Sequence, residues 1–332
     1  MPHLSWLLLL FMLVPQQVGD VVDAPPFGEW LDALKTEARS RGVSEALIAE
    51  ALSGIEPLPH VVANDRSQAE VTLSLRRYLQ TRVTPQVVRR GRELRRLHAP
   101  LLTRIERAYG VPAQVVLAIW GLESRFGRNT GRTPVFQALA TLAWEPRRSD
   151  FFRGELFNAL DMVSRGYIDA ASMTGSWAGA MGQTQFMPSS YLAYAVDFDA
   201  DGRRDIWRST PDALASIANY LKGYGWKTGE TWGREVKASN AVLTRVKDEV
   251  PMRTEGCYAA RNMTERRPLR EWQQRGVRRL DGGSLPRAAI EASFAEVGDR
   301  LFLLYPNYDV LLGYNCAHYY ALSVAMLADR IG

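Results

Sequence analysis

The sequence predicts a mainly α protein of the α+β class, with one small β-containing insertion. Apolar residues recur at helical spacing through most of the chain, as at Leu47, Ile48 and Ala51. Residues 229–300 instead contain short mixed segments with glycine, proline and many charges. The 332 residues are 46% hydrophobic and 23% charged, which is typical of a globular protein with a sizeable core. This balance excludes a disordered chain and a membrane protein with many spans.

The N-terminus contains the only strongly apolar run, LSWLLLLFMLV at residues 4–14. This run is too short to span a bilayer but fits the apolar region of a signal peptide. We expect residues 1–24 to be a signal peptide, although its basic region is poor and an uncleaved N-terminal anchor stays open. The first cysteine is Cys257, so no thiol near the signal can carry a lipid. The sequence therefore predicts a soluble, exported protein.

Residues 25–100 predict a helical N-terminal domain. Trp30, Leu31 and Leu34 share one helix face, and Ser44 is a candidate N-cap for the next helix. The net charge of +5 suits an anionic polymer, and arginines are densest in the run 89–97. Apolar residues at helical spacing within this run favour a solvated face of an amphipathic helix. Because the chain has an export signal and no nucleic-acid-binding motif, we discount DNA and RNA as ligands.

Glu123 is the strongest candidate for a catalytic residue. Gly110-Val111-Pro112 begins a strongly apolar helix, and Glu123 lies at its C-terminal end before a Ser-Arg-Phe-Gly turn. The negative end of the helix dipole and the apolar neighbours would both favour the protonated carboxyl, which is the form that a general acid requires. An exposed glutamate at a helix end is the alternative that this stretch alone favours.

A glycine-rich segment follows two further helices, which we predict at Gln137–Leu142 and Phe152–Val163. The segment SWAGAMGQTQFMPSSY, residues 176–191, combines glycines with polar and aromatic side chains such as Ser176, Gln185 and Phe186. This mixture suits sugar recognition. A tight loop between helices explains the composition equally well.

The sequence DFDADGRRD at residues 197–205 resembles a calcium-binding EF-hand loop. Gly202 stands at the sixth position, where the loop turns sharply, and Arg203 at the seventh offers its backbone carbonyl. Arg208 occupies the twelfth position, where a bidentate glutamate is expected, and Asp212 is a candidate replacement for it. The predicted ligand set is Asp197, Asp199, Asp201, Arg203, Asp205 and Asp212. A solvated acidic turn is the alternative, but aspartates this close repel one another without a cation.

The rest of the chain returns from the β-containing insertion to helix. We predict a helix from Pro211 capped by Thr210, a strand at Arg300–Tyr305 and a terminal helix at Tyr319–Ile331. Cys257 and Cys316 are the only cysteines. A disulfide and two buried thiols both fit them, and their surroundings lack the spacing of a metal site.

Several long motifs occur in the order found in the membrane-bound lytic murein transglycosylase B family, glycoside hydrolase family 103. They are ESRFG at 123, PRR at 146, GSWAGAMGQTQFMPSSY at 175, DFDADGRRDIW at 197, ANYL at 218 and YN at 314. The resemblance runs from residue 27 to the C-terminus and is weakest at 229–300. It implies a lysozyme-like helical core at 101–228, a small β domain at 229–300 and a return to the core at 301–332. It further implies structural calcium in the acidic loop. Because no cysteine near the signal can carry a lipid, the chain departs from lipid-anchored members of the family, and we expect a soluble, non-lipidated periplasmic enzyme.

The resemblance also implies non-hydrolytic cleavage of the β-1,4 bond between N-acetylmuramic acid and N-acetylglucosamine in peptidoglycan, with Glu123 as the single acid/base. Residues that match the family's saccharide cleft are Ser176, Gln185, Phe186, Tyr220, Tyr314, Asn315 and Tyr320, and Arg147 and Arg148 match residues for the peptide stem. Because nothing near Glu123 offers an obvious second carboxylate, a single-carboxylate mechanism fits. A hydrolytic muramidase and a non-catalytic wall-binding protein are the alternatives. We expect a monomer whose partner is peptidoglycan; association with wall-synthesis or secretion complexes stays open.

Overall fold

The computed structural model describes residues 25–67 and 73–332. The predicted signal peptide, with its apolar run, lies outside these residues. The described chain forms two compact units. The first contains residues 25–67 and Ile119–Tyr220, and the second contains residues 73–118 and Leu221–Gly332. The division of the chain into the four predicted segments after the signal remains a prediction.

Helices dominate the described residues, as the sequence predicts. The sixteen α-helices found there are α1 (Phe27–Ser40), α2 (Glu45–Leu52), α3 (Pro59–Ser67), α4 (Leu75–Arg82), α5 (Pro85–Leu97), α6 (Ala99–Tyr109), α7 (Ala113–Ser124), α8 (Val135–Trp144), α9 (Ser149–Ser164), α10 (Pro188–Tyr194), α11 (Thr210–Gly223), α12 (Asn240–Glu249), α13 (Tyr258–Arg261), α14 (Leu269–Arg275), α15 (Pro306–Tyr314) and α16 (His318–Ile331). Short 3-10 helices occur at Pro146–Arg148 and Ala170–Ser172.

Side-chain caps account for several of the helix starts. The hydroxyl of Ser44 accepts the backbone N–H of Leu47 at 3.2 Å, which confirms the predicted N-cap of α2. At α11 the prediction is wrong by one residue. The hydroxyl of Ser209, and not that of Thr210, accepts the backbone N–H of Asp212, so Thr210 is already the first helical residue.

Two antiparallel sheets complete the fold. Their strands are β1 (Thr133–Pro134), β2 (Thr174–Gly175), β3 (Gly233–Lys237), β4 (Arg267–Pro268), β5 (Arg278–Arg279), β6 (Glu291–Val297) and β7 (Arg300–Leu304). β1 pairs with β2, and the larger sheet has the order β4-β6-β7-β3-β5. In its centre Leu301 pairs with both Val236 and Glu296. Residues 229–300, the predicted β-containing insertion, contain four of these five strands and also α12, α13 and α14, and the predicted strand from Arg300 is β7.

The first unit has a helical core centred on α8 and α9. Eight of the nine residues of α8 from Val135 to Ala143 are buried, and the ninth, Gln137, is partly exposed. α9 buries Phe152 and Leu156 against it. A helix that is apolar on most sides belongs in the interior of a protein, so α8 provides the framework on which the neighbouring loops are held.

In the second unit one face of the large sheet covers an apolar cluster. Trp272 of α14 is fully buried there with Phe294 and Leu303, and its indole N–H donates to the carbonyl of Ala292 at 2.9 Å. The basic helix α5 belongs to the same unit. It buries Leu94 as predicted, whereas Leu97 is 65% exposed.

The arginines of α5 have a structural role besides solvation. Arg92 and Arg95 donate to the carbonyls of Arg330 and Gly332 at 2.8 Å. Unpaired carbonyls at a helix C-terminus are stabilised by such cationic donors. The basic run therefore caps α16.

Cys257 and Cys316 form a disulfide within the second unit. The bond joins the residue before α13 to the three-residue link between α15 and α16. In residues 25–67 and 73–332 no single helix is long and apolar enough to cross a membrane; α15 and α16 pass that test only together, with a 115° bend between them.

Candidate active site

Glu123 is partly buried on the last turn of α7, as the sequence predicts. The two residues after the helix, Arg125 and Phe126, have left-handed backbone conformations, with φ of 53° and 61°. The N–H of Phe126 donates to the carbonyl of Trp120 at 3.1 Å, a bond that closes the helix C-terminus. Left-handed conformations are uncommon for residues other than glycine and are concentrated at functional sites. The backbone geometry therefore marks the turn beside Glu123 as a candidate functional site.

Aromatic packing holds this turn against the helix. The ring of Phe126 covers Gly121, where an added Cβ would lie 2.7 Å from ring atoms. The same ring meets Trp120 edge to face, with centroids 5.6 Å apart. Glycine is therefore required at position 121, and the packing stabilises the strained turn.

A buried amide, Gln183, ties this helix to the segment after the acidic loop. Its Oε1 accepts the indole N–H of Trp120 at 2.9 Å, and its Nε2 donates to the carbonyl of Trp207 at 3.2 Å. Trp207 in turn donates its indole N–H to Thr174 at 2.8 Å. Gln183 lies in the glycine-rich segment at residues 176–191, but it is not among the predicted site residues.

Four of the predicted saccharide residues lie in the first unit, and all four are buried: Ser176, Gln185, Phe186 and Tyr220. The hydroxyl of Ser176 accepts the N–H groups of Ala178 and Ala180, which folds the glycine-rich loop tightly. Gln185 has a left-handed φ of 53° and donates to the carbonyls of Thr130 and Gly182. Its Oε1 is buried and has no hydrogen-bond partner in the described chain. A buried unpaired acceptor is costly and calls for an explanation, such as a ligand.

Phe186 and Tyr220 form an aromatic pair with centroids 5.4 Å apart. Tyr194 adds a third ring, 4.7 Å from that of Tyr220. Tyr191, which ends the glycine-rich segment, is fully buried and donates its hydroxyl to the carbonyl of Arg204 at 3.0 Å. Tyr191 therefore stabilises the fold of this unit.

The other three predicted saccharide residues, Tyr314, Asn315 and Tyr320, lie in the second unit. The rings of Tyr314 and Tyr320 are stacked, with centroids 6.4 Å apart and an interplanar angle of 15°. Asn315 is 9% exposed, and its Oδ1 has no hydrogen-bond partner among the residues that the structure describes. Asn315 lies in the link that contains Cys316, and Tyr314 and Tyr320 lie in the helices on either side of it, so the disulfide fixes the link between them.

The predicted peptide-stem residues Arg147 and Arg148 share one carboxylate, that of Asp65. Arg147 Nε donates to Asp65 at 2.8 Å, and Arg148 forms an ion pair with the other oxygen. Asp65 is 1% exposed. Burial lowers the pKa of the Arg148 guanidinium from its ordinary value, an effect that the charge of Asp65 opposes. No local pattern marks Asp65, because its partners lie about 80 residues away in the chain.

Four carboxylates of the acidic loop converge. Single oxygens of Asp197, Asp199, Asp201 and Asp212 lie within 4.8 Å of one another. Asp212 is fully buried, and its oxygens accept the N–H groups of Phe198 and Asp205 at 2.7 and 2.8 Å. Burial raises the pKa of Asp212, while these N–H groups oppose the rise.

The chemistry of this group fits a hard divalent cation, which prefers oxygen ligands. Asp205 does not join it, because its Oδ1 accepts the N–H groups of Trp207 and Arg208. The side chain of Arg203 is not needed, since only its carbonyl was predicted to contribute. Asp212, the predicted replacement for the acid missing at position 12, lies with the three converging carboxylates.

Other acidic residues of the first unit have structural partners. Glu155 is 4% exposed and accepts the N–H and hydroxyl of Ser189 at 2.9 and 2.6 Å, at the start of α10. These bonds to Ser189 show that Glu155 holds the start of α10. A second catalytic carboxylate is not supplied by this residue.

The chain is similar to a known protein family, to a known protein and to several solved structures. The transglycosylase SLT domain family matches residues 26–329. Membrane-bound lytic murein transglycosylase B of Escherichia coli (strain K12) is 32% identical over 333 residues, which cover 96% of this chain and 86% of that protein. Among solved structures, SltB3 from Pseudomonas aeruginosa in complex with NAG-NAM-pentapeptide is 41% identical with a TM-score of 0.81, over 91% of this chain and 79% of that one. The Escherichia coli lytic transglycosylase Slt35 in complex with calcium is 29% identical with a TM-score of 0.74, over 94% of each chain.

The helical fold and these relatives define a lytic transglycosylase, an enzyme of the type that the relatives represent. The chain belongs to the transglycosylase SLT domain family. The predicted family resemblance, the fold class and the enzyme class are therefore confirmed.

Proposed function

We propose that this enzyme cleaves the β-1,4 bond between N-acetylmuramic acid and N-acetylglucosamine in peptidoglycan, with Glu123 as its single acid/base. The observation that carries the assignment is the placement of Glu123, partly buried beside the strained turn of Arg125 and Phe126. SltB3, the relative with 41% identity, was solved with NAG-NAM-pentapeptide and with NAG-anhNAM-pentapeptide. These ligands support the same substrate and an anhydro product here.

The proposed reaction needs no water. The carboxyl of Glu123 protonates the glycosidic oxygen, and the bond from that oxygen to C1 of the muramoyl residue breaks, leaving a hydroxyl on the departing sugar. The carboxylate of Glu123 then takes the proton of the muramoyl C6 hydroxyl, whose oxygen bonds to C1. This step closes a 1,6-anhydro ring and returns Glu123 to its acid form. One carboxylate thus performs both proton transfers, unlike the pair used by most glycosidases.

We assign glycan binding to the predicted cleft residues of both units. In the first unit these are Ser176, Gln185, Phe186 and Tyr220, and in the second Tyr314, Asn315 and Tyr320. The unpaired oxygens of Gln185 and Asn315 support the assignment, because hydroxyl and acetamido groups of a sugar can donate to them. We assign the peptide stem to Arg147 and Arg148, whose positions Asp65 fixes.

We propose that Asp197, Asp199, Asp201 and Asp212 hold a calcium ion, with the carbonyl of Arg203 as a further ligand. Calcium bound there neutralises carboxylates that lie within 4.8 Å of one another and stabilises the loop. Asp205 is not among the proposed ligands. It stabilises the site through its backbone N–H, which donates to the carboxylate of Asp212. The Slt35 structure in complex with calcium supports this assignment. We further propose a periplasmic location, where peptidoglycan lies.

Mass spectrometry of soluble products tests the reaction. Purified protein and its Glu123→Gln variant are incubated with peptidoglycan, and the variant keeps the shape of the side chain but cannot transfer the proton. We expect anhydromuramoyl products from the wild type and a loss of turnover of at least about 10²-fold in the variant. Products heavier by one water would instead identify a hydrolytic muramidase. No product from either protein would favour a non-catalytic wall-binding protein.

A further inference from the structure

The second unit contains a cavity of about 730 Å³ to which no role has been assigned so far. Its lining includes the loop Thr254–Cys257, the C-terminal end of α15, and Glu265 and Arg266. Tyr314 and Asn315 also line it. The cavity therefore shares two residues with the proposed glycan-binding set and extends beyond them.

Arg266, which lines the cavity, has N–H groups that form no hydrogen bond within the described residues. One carboxylate oxygen of Asp309 forms an ion pair with Arg253 at 2.9 Å, and the other oxygen forms an ion pair with Arg266. Arg253 uses its remaining nitrogens on the hydroxyl of Ser293, at 2.6 and 3.1 Å. Arg266 has no further partner within the described residues, and its Nε is buried and unpaired. Arg266 is thus a positioned guanidinium with unused N–H groups, 34% exposed.

The cavity also holds an unpaired negative charge. Glu255 is exposed, and in the described part of the chain its carboxylate has neither a hydrogen bond nor an ion pair. Glu265 differs, because Arg267 neutralises it at 3.0 Å. One cavity therefore presents a guanidinium with unused N–H groups and an unpaired carboxylate on separate segments.

The walls between these charges are apolar and covalently joined. The ring of Tyr224 lies against Gly313 so closely that no Cβ would fit there. The disulfide joins Cys257, two residues after Glu255, to Cys316 at the end of the opposite wall. A cavity whose walls are fixed in advance loses less entropy when a ligand binds.

We propose that this cavity binds a peptide substituent of the wall polymer that carries both a carboxylate and an ammonium group. Arg266 receives the carboxylate, Glu255 receives the ammonium group, and Tyr224 contacts the chain between them. A neutral sugar would leave the carboxylate of Glu255 unmatched, and a polyanion would be repelled by Glu255. The inference rests on the proposed function only in naming the polymer.

A peptide-binding titration tests the inference without any cleavage. The probe is a synthetic wall tetrapeptide with a free side-chain ammonium group, titrated into the full chain by calorimetry. We expect Arg266→Gln and Glu255→Gln each to weaken its Kd about tenfold, because each removes one charge pair. The control is Arg270→Gln, an exposed arginine of α14 in the same unit, which should leave the Kd unchanged.

A second ligand keeps the test independent of variant folding. The same tetrapeptide with its side-chain amine acetylated should bind the wild type about tenfold more weakly, and Glu255→Gln should not weaken it further. Equal affinity for the two peptides, or equal effects of Arg270→Gln and Arg266→Gln, would overturn the proposal. Anhydro products without tetrapeptide binding would reject this cavity assignment alone, whereas binding without products would reject the proposed reaction alone.

Discussion

The turn beside Glu123 and the cavity beside the disulfide hold polar side chains in opposite ways. In the first unit, Gln183 links Trp120 to Trp207 through hydrogen bonds between neutral groups. In the second unit, the Cys257–Cys316 bond and the ion pairs of Asp309 hold the walls. Neutral hydrogen bonds depend on complete pairing of buried groups, whereas a covalent link acts mainly by restricting the unfolded chain. The two regions should therefore respond to different changes.

Removing the disulfide should produce the largest change in stability. The bond closes a loop with a sequence separation of 59 residues, and its loss through Cys257→Ser with Cys316→Ser should cost about 4 kcal/mol of unfolding free energy. Urea unfolding measures the change. Dithiothreitol should destabilise the wild type to the same extent and leave the double variant unaffected. A response of both proteins to the reductant would show that the effect does not come from this bond.

Gln183→Leu should have the next largest effect, and it acts on the first unit. The substitution keeps the volume but leaves the indole N–H of Trp120 and the carbonyl of Trp207 without a partner, at a cost of about 3 kcal/mol. Because Trp120 lies one turn before Glu123, we expect kcat for anhydro product release to fall more than KM changes. Gln274→Leu, at an exposed position of α14, is the control. Equal kcat values for the two variants would separate Gln183 from the positioning of Glu123.

The second unit should also respond to pH through His318. Burial lowers the pKa of His318 from 6.5 to about 4, and its Nδ1 lies 2.9 Å from the hydroxyl of Tyr308. The unfolded chain therefore binds the proton more readily between these values. The stabilisation is complete above pH 6.5 and is lost as the pH falls towards 4, by about 2–3 kcal/mol.

Melting temperatures between pH 7 and 4 measure this dependence. His318→Asn should flatten the pH profile, and the control His60→Asn, at an exposed site, should retain its slope. Parallel profiles for all three proteins would mean that another group carries the dependence.

Calcium binding should have the smallest of the four predicted effects on stability, and it should act on the first unit. At a free concentration ten times the Kd, a bound ion adds about 1.4 kcal/mol. We expect calcium to raise the melting temperature of the wild type but not that of the Asp199→Ala, Asp201→Ala variant, whose loop lacks two of the four converging carboxylates. A calcium-dependent rise that persists in the double variant would place the ion elsewhere, and its absence in the wild type would remove the proposed site.

What the sequence predicts well is local. The helix that ends at Glu123 is marked by its apolar run, and the acidic loop is marked by the spacing of its aspartates. Even the substitute for position 12, Asp212, could be selected, because the start of the next helix is fixed by its pattern. These features depend on residues close together in the chain, where periodicity and turn chemistry carry the information.

What the sequence does not predict is long-range pairing. Gln183 pairs with Trp120 across 63 residues, and Asp65 pairs with Arg147 across 82. In the sequence, a buried amide or carboxylate cannot be told from a polar residue on the surface. Only the folded structure shows which group forms its hydrogen bonds. The cap of α11 was misplaced for a related reason, because Ser209 and Thr210 are chemically equivalent candidates and the backbone geometry chooses between them.

The position of the disulfide also sets the order of events when the chain is made. Cys316 follows all five strands of the larger sheet in the chain, so the bond can form only after those strands have been synthesised. With two cysteines in the chain, a single intramolecular isomer exists and no shuffling phase is expected. The number of free thiols during oxidative refolding therefore measures directly how many molecules have not yet formed the disulfide of the second unit.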